Sequence, residues 1–98
     1  MDIQWTLEAK KDLKKIYVFY TKYFSETLAK KIKNQVLEKV KILELGTELG
    51  QEEALLKHLN QGHRYLISKH NKIIYKVEGN TVYITHVFDT RQNSAKLR

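Results

Sequence analysis

Residues 71–93 read NKIIYKVEGNTVYITHVFDTRQN, a segment in which two strand patterns flank one turn. On both sides of Gly79-Asn80, side chains alternate with the period of two that is typical of a strand with one buried face. Gly79 and Asn80 both tolerate positive φ, as two-residue hairpin turns require. The segment therefore predicts a β-hairpin with the pairs Val77–Val82, Tyr75–Ile84 and Ile73–His86.

This pairing predicts two distinct faces of the hairpin. The first face is apolar and needs a cover, and it carries Ile73, Tyr75, Val77, Val82, Ile84, His86 and Phe88. The second face is expected to meet solvent or a ligand, and it carries Lys72, Ile74, Lys76, Tyr83, Thr85, Val87 and Asp89.

Two helices upstream supply the cover. Thr6 is suited to cap a helix over about residues 7–23, and Ser25 to cap another over about residues 26–45 that ends at a left-handed Gly46. Each helix has one apolar stripe at helical spacing, so we expect an antiparallel helical hairpin on the sheet. The inward stripe is predicted to hold Leu13, Ile16, Tyr20, Ile32, Val36 and Val40.

The remaining segments complete a small sheet. Residues 3–5 read as a short strand, and residues 63–68 as a strand joined by a turn to the central hairpin. Residues 46–62 are predicted to be a loop with a short strand or a turn of helix, and the polar tail after Asp89 to be partly disordered. The expected fold is α+β, in the order β-α-α-β-β-β, with the helical hairpin on one face of a small antiparallel sheet.

Length and composition limit the class of protein. A chain of 98 residues with 42% hydrophobic content is expected to form a single domain over residues 1–98. It has no cysteine, which excludes disulfides and thiolate chemistry. Neither an apolar signal core nor a membrane-spanning run is present, so we expect a soluble, cytoplasmic protein with no membrane partner.

The positive charge lies mainly in the sheet half of the chain. Residues 1–53 hold ten Lys against nine Asp or Glu, whereas residues 54–98 hold eight Lys or Arg against two acids, so +6 of the net +7 falls there. A solvated lysine-rich surface explains such charge as well as an acidic or polyanionic partner does.

Residues suited to chemistry are few. The four histidines lack metal-ligand spacing, and no phosphate loop or nucleophile motif is present, so neither a metal nor another cofactor is expected. His86 is interpreted first as a buried or boundary residue and second as a catalyst. Strand alternation groups basic and hydrogen-bonding side chains that could bind phosphate or merely face solvent: Arg64, His70, Lys72, Lys76, Tyr83, Asp89 and Arg91.

Three motifs in order resemble the RelE/ParE superfamily of bacterial type II toxins. They are W-T-x-x-A-x-x-D-L-x-x-I-Y at residues 5–17, K-I-I-Y-K-V-E-G-N-T-V-Y-I at residues 72–84 and V-F-D-T-R-Q-N at residues 87–93. The resemblance implies a toxin that a cognate antitoxin binds and neutralises in a hetero-oligomer. It also implies one of two targets, either DNA gyrase or the ribosome with its mRNA.

The resemblance assigns candidate effector residues. Arg64, Lys72 and Arg91 match the basic positions of the RelE-like ribonucleases, with His70, His86 and Asp89 as weaker members. Leu66 and Leu97 stand where those ribonucleases have a second basic residue and a tyrosine, and Ser94 replaces a common proline. These departures favour a ParE-like gyrase inhibitor over a metal-independent mRNA endoribonuclease. A plain nucleic-acid-binding module is a third alternative, although the sheet lacks paired exposed aromatic residues.

Overall fold

A computed structural model of the protein describes residues 1–91; the tail predicted to be disordered lies almost entirely outside this range. In chain order, these residues form strand β1, helices α1 and α2, and strands β2 to β5. Their bounds are β1 Asp2–Trp5, α1 Leu7–Tyr23, α2 Glu26–Lys41, β2 Gln51–Glu52, β3 Arg64–Ser68, β4 Asn71–Glu78 and β5 Thr81–Asp89. The α+β fold with a helical hairpin over a small sheet is confirmed.

The helix starts follow the predicted caps. Thr6 Oγ1 accepts a hydrogen bond from Ala9 N at 3.2 Å, and Ser25 Oγ accepts one from Leu28 N at 3.0 Å. The predicted end of the second helix is wrong, because α2 stops at Lys41 and continues as a 3-10 turn over Ile42–Glu44. That turn supplies the terminal bonds, so Gly46 is not needed as a left-handed cap and does not adopt a positive φ.

The sheet is mixed rather than purely antiparallel. Its strand order is β1-β5-β4-β3-β2, and β1 runs parallel to β5 while the other pairs are antiparallel. Parallel pairing becomes available because the helical hairpin carries the chain across the sheet after β1.

A β-bulge in β5 alters the predicted hairpin register. Val77–Val82 and Tyr75–Ile84 pair as expected, but Ile74 then pairs with His86, so Thr85 is an extra residue in β5. The predicted Ile73–His86 pair is therefore wrong, and Ile73 pairs with Val87 instead. Beyond the bulge each side chain of β5 changes face, which places Val87 in the core below the helices and Phe88 on the opposite face.

The two faces of the sheet carry separate cores. The larger core joins the helices to the sheet through Ala9, Val36, Val40, Leu43, Leu66, Ile73, Tyr75, Val82, Ile84 and Val87. On the opposite face, Leu56 packs on Ile74 and Phe88. Leu56 belongs to a 3-10 helix over Ala54–Leu59, called the linker helix below. It partly covers the face that was predicted to be open, and Ile74 is consequently fully buried.

Candidate functional site: a cleft beside the helical hairpin

A large cleft in the described part of the chain lies between the tip of the helical hairpin and one end of the sheet. Its volume is about 1070 Å³. Residues of α1 and α2 form one wall, and the β3–β4 turn with the end of β5 forms the other. The lining residues used below are Asp12, Lys15, Phe19, Tyr20, Phe24, Lys31, Lys69, His70, His86, Asp89 and Arg91.

The helical wall is aromatic and exposed. Phe19 is 45% exposed and Phe24 is 63% exposed, although both are large and apolar. Phe19 meets Tyr20 edge to face with ring centroids 5.2 Å apart, and Tyr20 lies 5.4 Å from Phe24. A contiguous apolar patch of this kind on a small protein indicates an interaction surface.

Arg91 and Asp89 form the polar rim of the sheet wall. Arg91 Nε donates to Asp89 Oδ1 at 2.9 Å, and Arg91 Nη2 donates to Tyr20 OH at 3.1 Å. The bonds from the Arg91 side chain lower the pKa of the Asp89 carboxyl, against the opposing effect of burial. Asp89 is therefore an ionised, occupied carboxylate, which makes it unsuited to act as a proton donor.

Asp12 connects the helix to the bulge. Its Oδ2 accepts a hydrogen bond from Val87 N at 3.0 Å, which satisfies a backbone donor in the part of β5 beyond its pairing with β1. Burial raises the pKa of the Asp12 carboxyl, and this effect outweighs the bond from Val87 and the nearby His86, which both lower it. This contact holds the bulge and the end of β5 against α1.

Lys72 lies on the opposite face of the sheet from Arg91. Its Nζ forms an ion pair with Glu53, which is only 2% exposed, and lies 4.2 Å from the centroid of the Tyr65 ring. Lys76 is also on this face, where it donates to Gln61 Oε1 at 3.1 Å and pairs across the sheet with Tyr83. The bulge contributes to this separation, because the β5 side chains beyond it change face.

Arg64 lies apart from both Lys72 and Arg91. It pairs across the sheet with Tyr75, and its Nη1 donates to the carbonyl oxygen of Gly50 at 2.9 Å. Of the six candidate residues, His70, His86, Asp89 and Arg91 line the cleft, whereas Arg64 and Lys72 do not.

His63, which directly precedes β3, is a buried histidine. His63 is 5% exposed, and its Nδ1 has no hydrogen-bond partner among the described residues. Burial lowers the pKa of its imidazole, and the neighbouring Lys76 and His86 lower it further, while Glu53 opposes them. His63 is thus held in the neutral form.

The sequence interpretation missed the aromatic wall and Asp12. Tyr20 is predicted to lie in the core because it continues the stripe of α1, whereas it lines the cleft. The run FYTKYF at residues 19–24 carried a contrary signal, because its four aromatic side chains spread around more of the helix than one buried stripe covers. Asp12 carried no signal of its own, since its partner is a backbone group 75 residues away.

The described residues contain neither a membrane-length helix nor a metal-ligand cluster. No helix within residues 1–91 is long and apolar enough to span a bilayer. Within the same range, no three side chains among His, Cys, Asp and Glu lie close enough together to hold a metal ion.

Comparison with known proteins identifies the family. No curated protein matches the chain. A solved structure described as "Chromosomal ParDE TA system from P. aeruginosa" contains a similar fold, with a TM-score of 0.76 and 23% identity over 91% of this chain and 95% of that one. Residues 3–94 match the family described as "ParE toxin of type II toxin-antitoxin system, parDE". The chain therefore belongs to the ParE toxin family of type II toxin-antitoxin systems.

Proposed function

We propose that this toxin inhibits growth by binding DNA gyrase and that it does not cleave RNA. The observation that carries the proposal is the dispersal of its candidate cations. Arg64 donates a hydrogen bond to the Gly50 carbonyl, and Lys72 forms an ion pair with Glu53. Arg91 donates hydrogen bonds to Asp89 and Tyr20. Cleavage of RNA by its own 2′-hydroxyl needs a base, an acid and charge stabilisation around a single phosphate. Among the described residues, these three cations converge on no common point.

The cleft supports the complementary part of the proposal, which is neutralisation by an antitoxin. Its exposed Phe19 and Phe24 offer apolar area, and its rim includes Lys15, Lys31, Lys69 and Arg91. An acidic, partly disordered antitoxin segment would order against this surface by burying apolar side chains between the aromatics and pairing its carboxylates with the rim. A small acidic protein encoded in the neighbouring reading frame is the expected partner.

Two assays run side by side test the target. The purified toxin should block supercoiling by DNA gyrase, and in vitro translation with toeprinting should show no cleavage of mRNA in the ribosomal A site. When the toxin is first mixed with its antitoxin, supercoiling by gyrase and in vitro translation should both proceed as they do without toxin. Cleavage of mRNA with unimpaired supercoiling would replace gyrase by the ribosome as the target.

A surface variant separates binding from folding in these assays. Arg91 has its side chain exposed and lies on the cleft rim, so Arg91→Ala should remain folded. If the rim contacts the target, this variant should lose inhibition of supercoiling while its circular dichroism spectrum stays that of the parent. Full growth arrest by folded Arg91→Ala would remove the rim from the effector surface and point to the helices.

A further inference from the structure

The helical hairpin carries a second cavity, on the flank that faces away from the cleft. It has a volume of about 340 Å³ and is called the Trp5 pocket; its lining residues are Trp5, Lys10, Leu13, Lys14, Tyr17, Lys33 and Leu37. On α1, Asp12, Ile16 and Tyr20 line the cleft, whereas Leu13 and Tyr17 line the pocket. Residues one position apart on a helix point about 100° apart, so the two cavities are separate surfaces.

The floor of the Trp5 pocket is apolar and rigidly supported. Trp5 and Leu13 are partly buried and pack against the main core, so one side of each is fixed while the other faces the pocket. A cavity of this size admits a single bulky apolar side chain. The Trp5 and Tyr17 rings of the pocket offer that side chain a large contact area at low cost in conformational entropy.

The rim of the Trp5 pocket has one sign of charge. Lys10, Lys14 and Lys33 are exposed, and Lys33 Nζ lies 5.7 Å from the centroid of the Tyr17 ring. Within residues 1–91, no acidic side chain lines the pocket, whereas Glu8, Asp12 and Asp89 line the cleft. An occupant of the pocket must therefore bring its own carboxylates to balance three ammonium groups.

We propose that the Trp5 pocket is a second docking site, for an acidic peptide segment of a partner protein in which carboxylates flank one bulky apolar side chain. The apolar side chain lies on Trp5, Leu13 and Leu37, and the flanking carboxylates pair with the lysines of the rim. This inference goes beyond the proposed function, because the pocket can be filled whether or not the cleft is occupied and whichever target the toxin has.

Intrinsic fluorescence gives a direct test, because Trp5 is the only tryptophan of the chain. The probes are three acetylated and amidated peptides, EEFEE, EESEE and KKFKK, titrated into the toxin at low salt. Only EEFEE should change the Trp5 emission with saturation. Removing its Phe, or reversing its charges, should weaken binding by about tenfold or more, since each change deletes one of the two kinds of contact.

Charge variants locate the binding. Lys14→Glu and Lys33→Glu should each weaken EEFEE binding severalfold, whereas Lys11→Glu, an exposed change that lines neither cavity, should have little effect. Phe24→Ala in the cleft should leave the titration unchanged. All four positions are exposed, so the variants should fold, and thermal melts verify it.

Three results would overturn the proposal. Equal binding of EEFEE and EESEE would show that the pocket holds no apolar side chain. An equal loss with Lys11→Glu and Lys33→Glu would show attraction to the overall charge of the helices instead of a site. Absence of any EEFEE-induced change in Trp5 emission would also reject docking. None of these results bears on the gyrase assay.

Discussion

At the scale of single residues, Asp12 determines how the end of β5 meets α1. Beyond Ile84, none of the strands in the described part of the chain lies on the outer edge of β5, because β1 ends at Trp5. The backbone N–H of Val87 would then be a buried donor without a partner, and the carboxylate of Asp12 accepts its bond. One acidic side chain thus replaces a strand at this point.

Replacement of Asp12 should destabilise the fold. Asp12→Ala leaves the Val87 N–H without an acceptor and should lower the free energy of unfolding by about 1–3 kcal/mol. Asp12→Asn keeps an acceptor oxygen and should cost less. Urea unfolding measures both, with Glu38→Ala on the exposed side of α2 as the control. Equal stability of Asp12→Ala and the control would show that the contact contributes nothing.

His63 should make stability depend on pH. Because burial lowers the pKa of His63 in the folded state below its ordinary value of 6.5, the unfolded chain binds a proton more readily. The favourable contribution of neutral His63 is therefore present above pH 6.5 and is lost as the pH falls through that value towards the folded-state pKa. Melting curves across this range should show the loss.

Two histidine variants test the assignment. His63→Asn should flatten the decrease in melting temperature at low pH, whatever its effect at neutral pH. His58→Asn, at an exposed position, should retain the decrease seen in the parent protein. If His63→Asn kept the full decrease, another group would have to be responsible.

At the scale of elements, the linker helix is attached to the sheet by one buried charge pair. Glu53 caps the linker helix by accepting from Leu55 N at 3.1 Å, and its second oxygen meets Lys72 of β4. Lys72 lies over the Tyr65 ring, and Leu56 packs beside it on Ile74 and Phe88. Lys72 therefore has a structural role, whatever it contributes to toxicity.

Removing Glu53 alone should be costly. Glu53→Ala leaves the ammonium group of Lys72 without its ion-pair partner. Because the Lys72 side chain is only 17% exposed, this change should lower the free energy of unfolding by about 3–5 kcal/mol. The double variant Glu53→Gln with Lys72→Met removes both charges and should recover much of that loss. Chemical denaturation of Glu53→Gln, Lys72→Met and the double variant gives the coupling energy. Strictly additive losses would show that the pair is not coupled.

The elements differ in how far the sequence predicts them. Both helices, the core positions Leu13, Ile16, Val36 and Val40, and the caps at Thr6 and Ser25 depend on neighbours within a turn or two, and they were predicted. The bulge at Thr85 was not, because no glycine marks it and the neighbouring contact between Asp12 and Val87 N joins residues 75 positions apart. That single extra residue places the side chain of Asp89 on the cleft side, whereas Lys72 of β4 lies on the opposite face. The parallel pairing of β1 depends on a partner almost 80 residues away.

At the scale of the whole molecule, charge and apolar area are arranged for recognition. The positive excess lies in residues 54–98, which include strands β3 to β5, and the exposed aromatics lie at the tip of the helical hairpin. The cleft lies where these two features meet. A partner attracted over a distance by the charge would then be held by apolar contacts with the aromatic wall.

Antitoxin binding should therefore separate into two measurable parts. Phe24→Ala should raise the dissociation rate and weaken affinity by about 1–3 kcal/mol, as loss of an aromatic anchor does. Val18→Ala on the same helix is 51% exposed and does not line the cleft, so it is the matched control. Surface plasmon resonance should also show association slowing as salt rises. An association rate indifferent to salt would exclude charge steering.

The parallel pairing of β1 with β5 has a consequence for the order of events on the ribosome. Asp2 to Trp5 emerge first, yet their partners are residues 81–84, which are translated only after both helices and three other strands. Until then, the nascent helical hairpin exposes its apolar stripe, because the central strands that complete the core are translated late. A chain interrupted before β5 would lack the strand that joins β1, the bulge and one wall of the cleft. Truncated translation products of this toxin should therefore be aggregation-prone and harmless, and active toxin should appear only after β5 has left the ribosome.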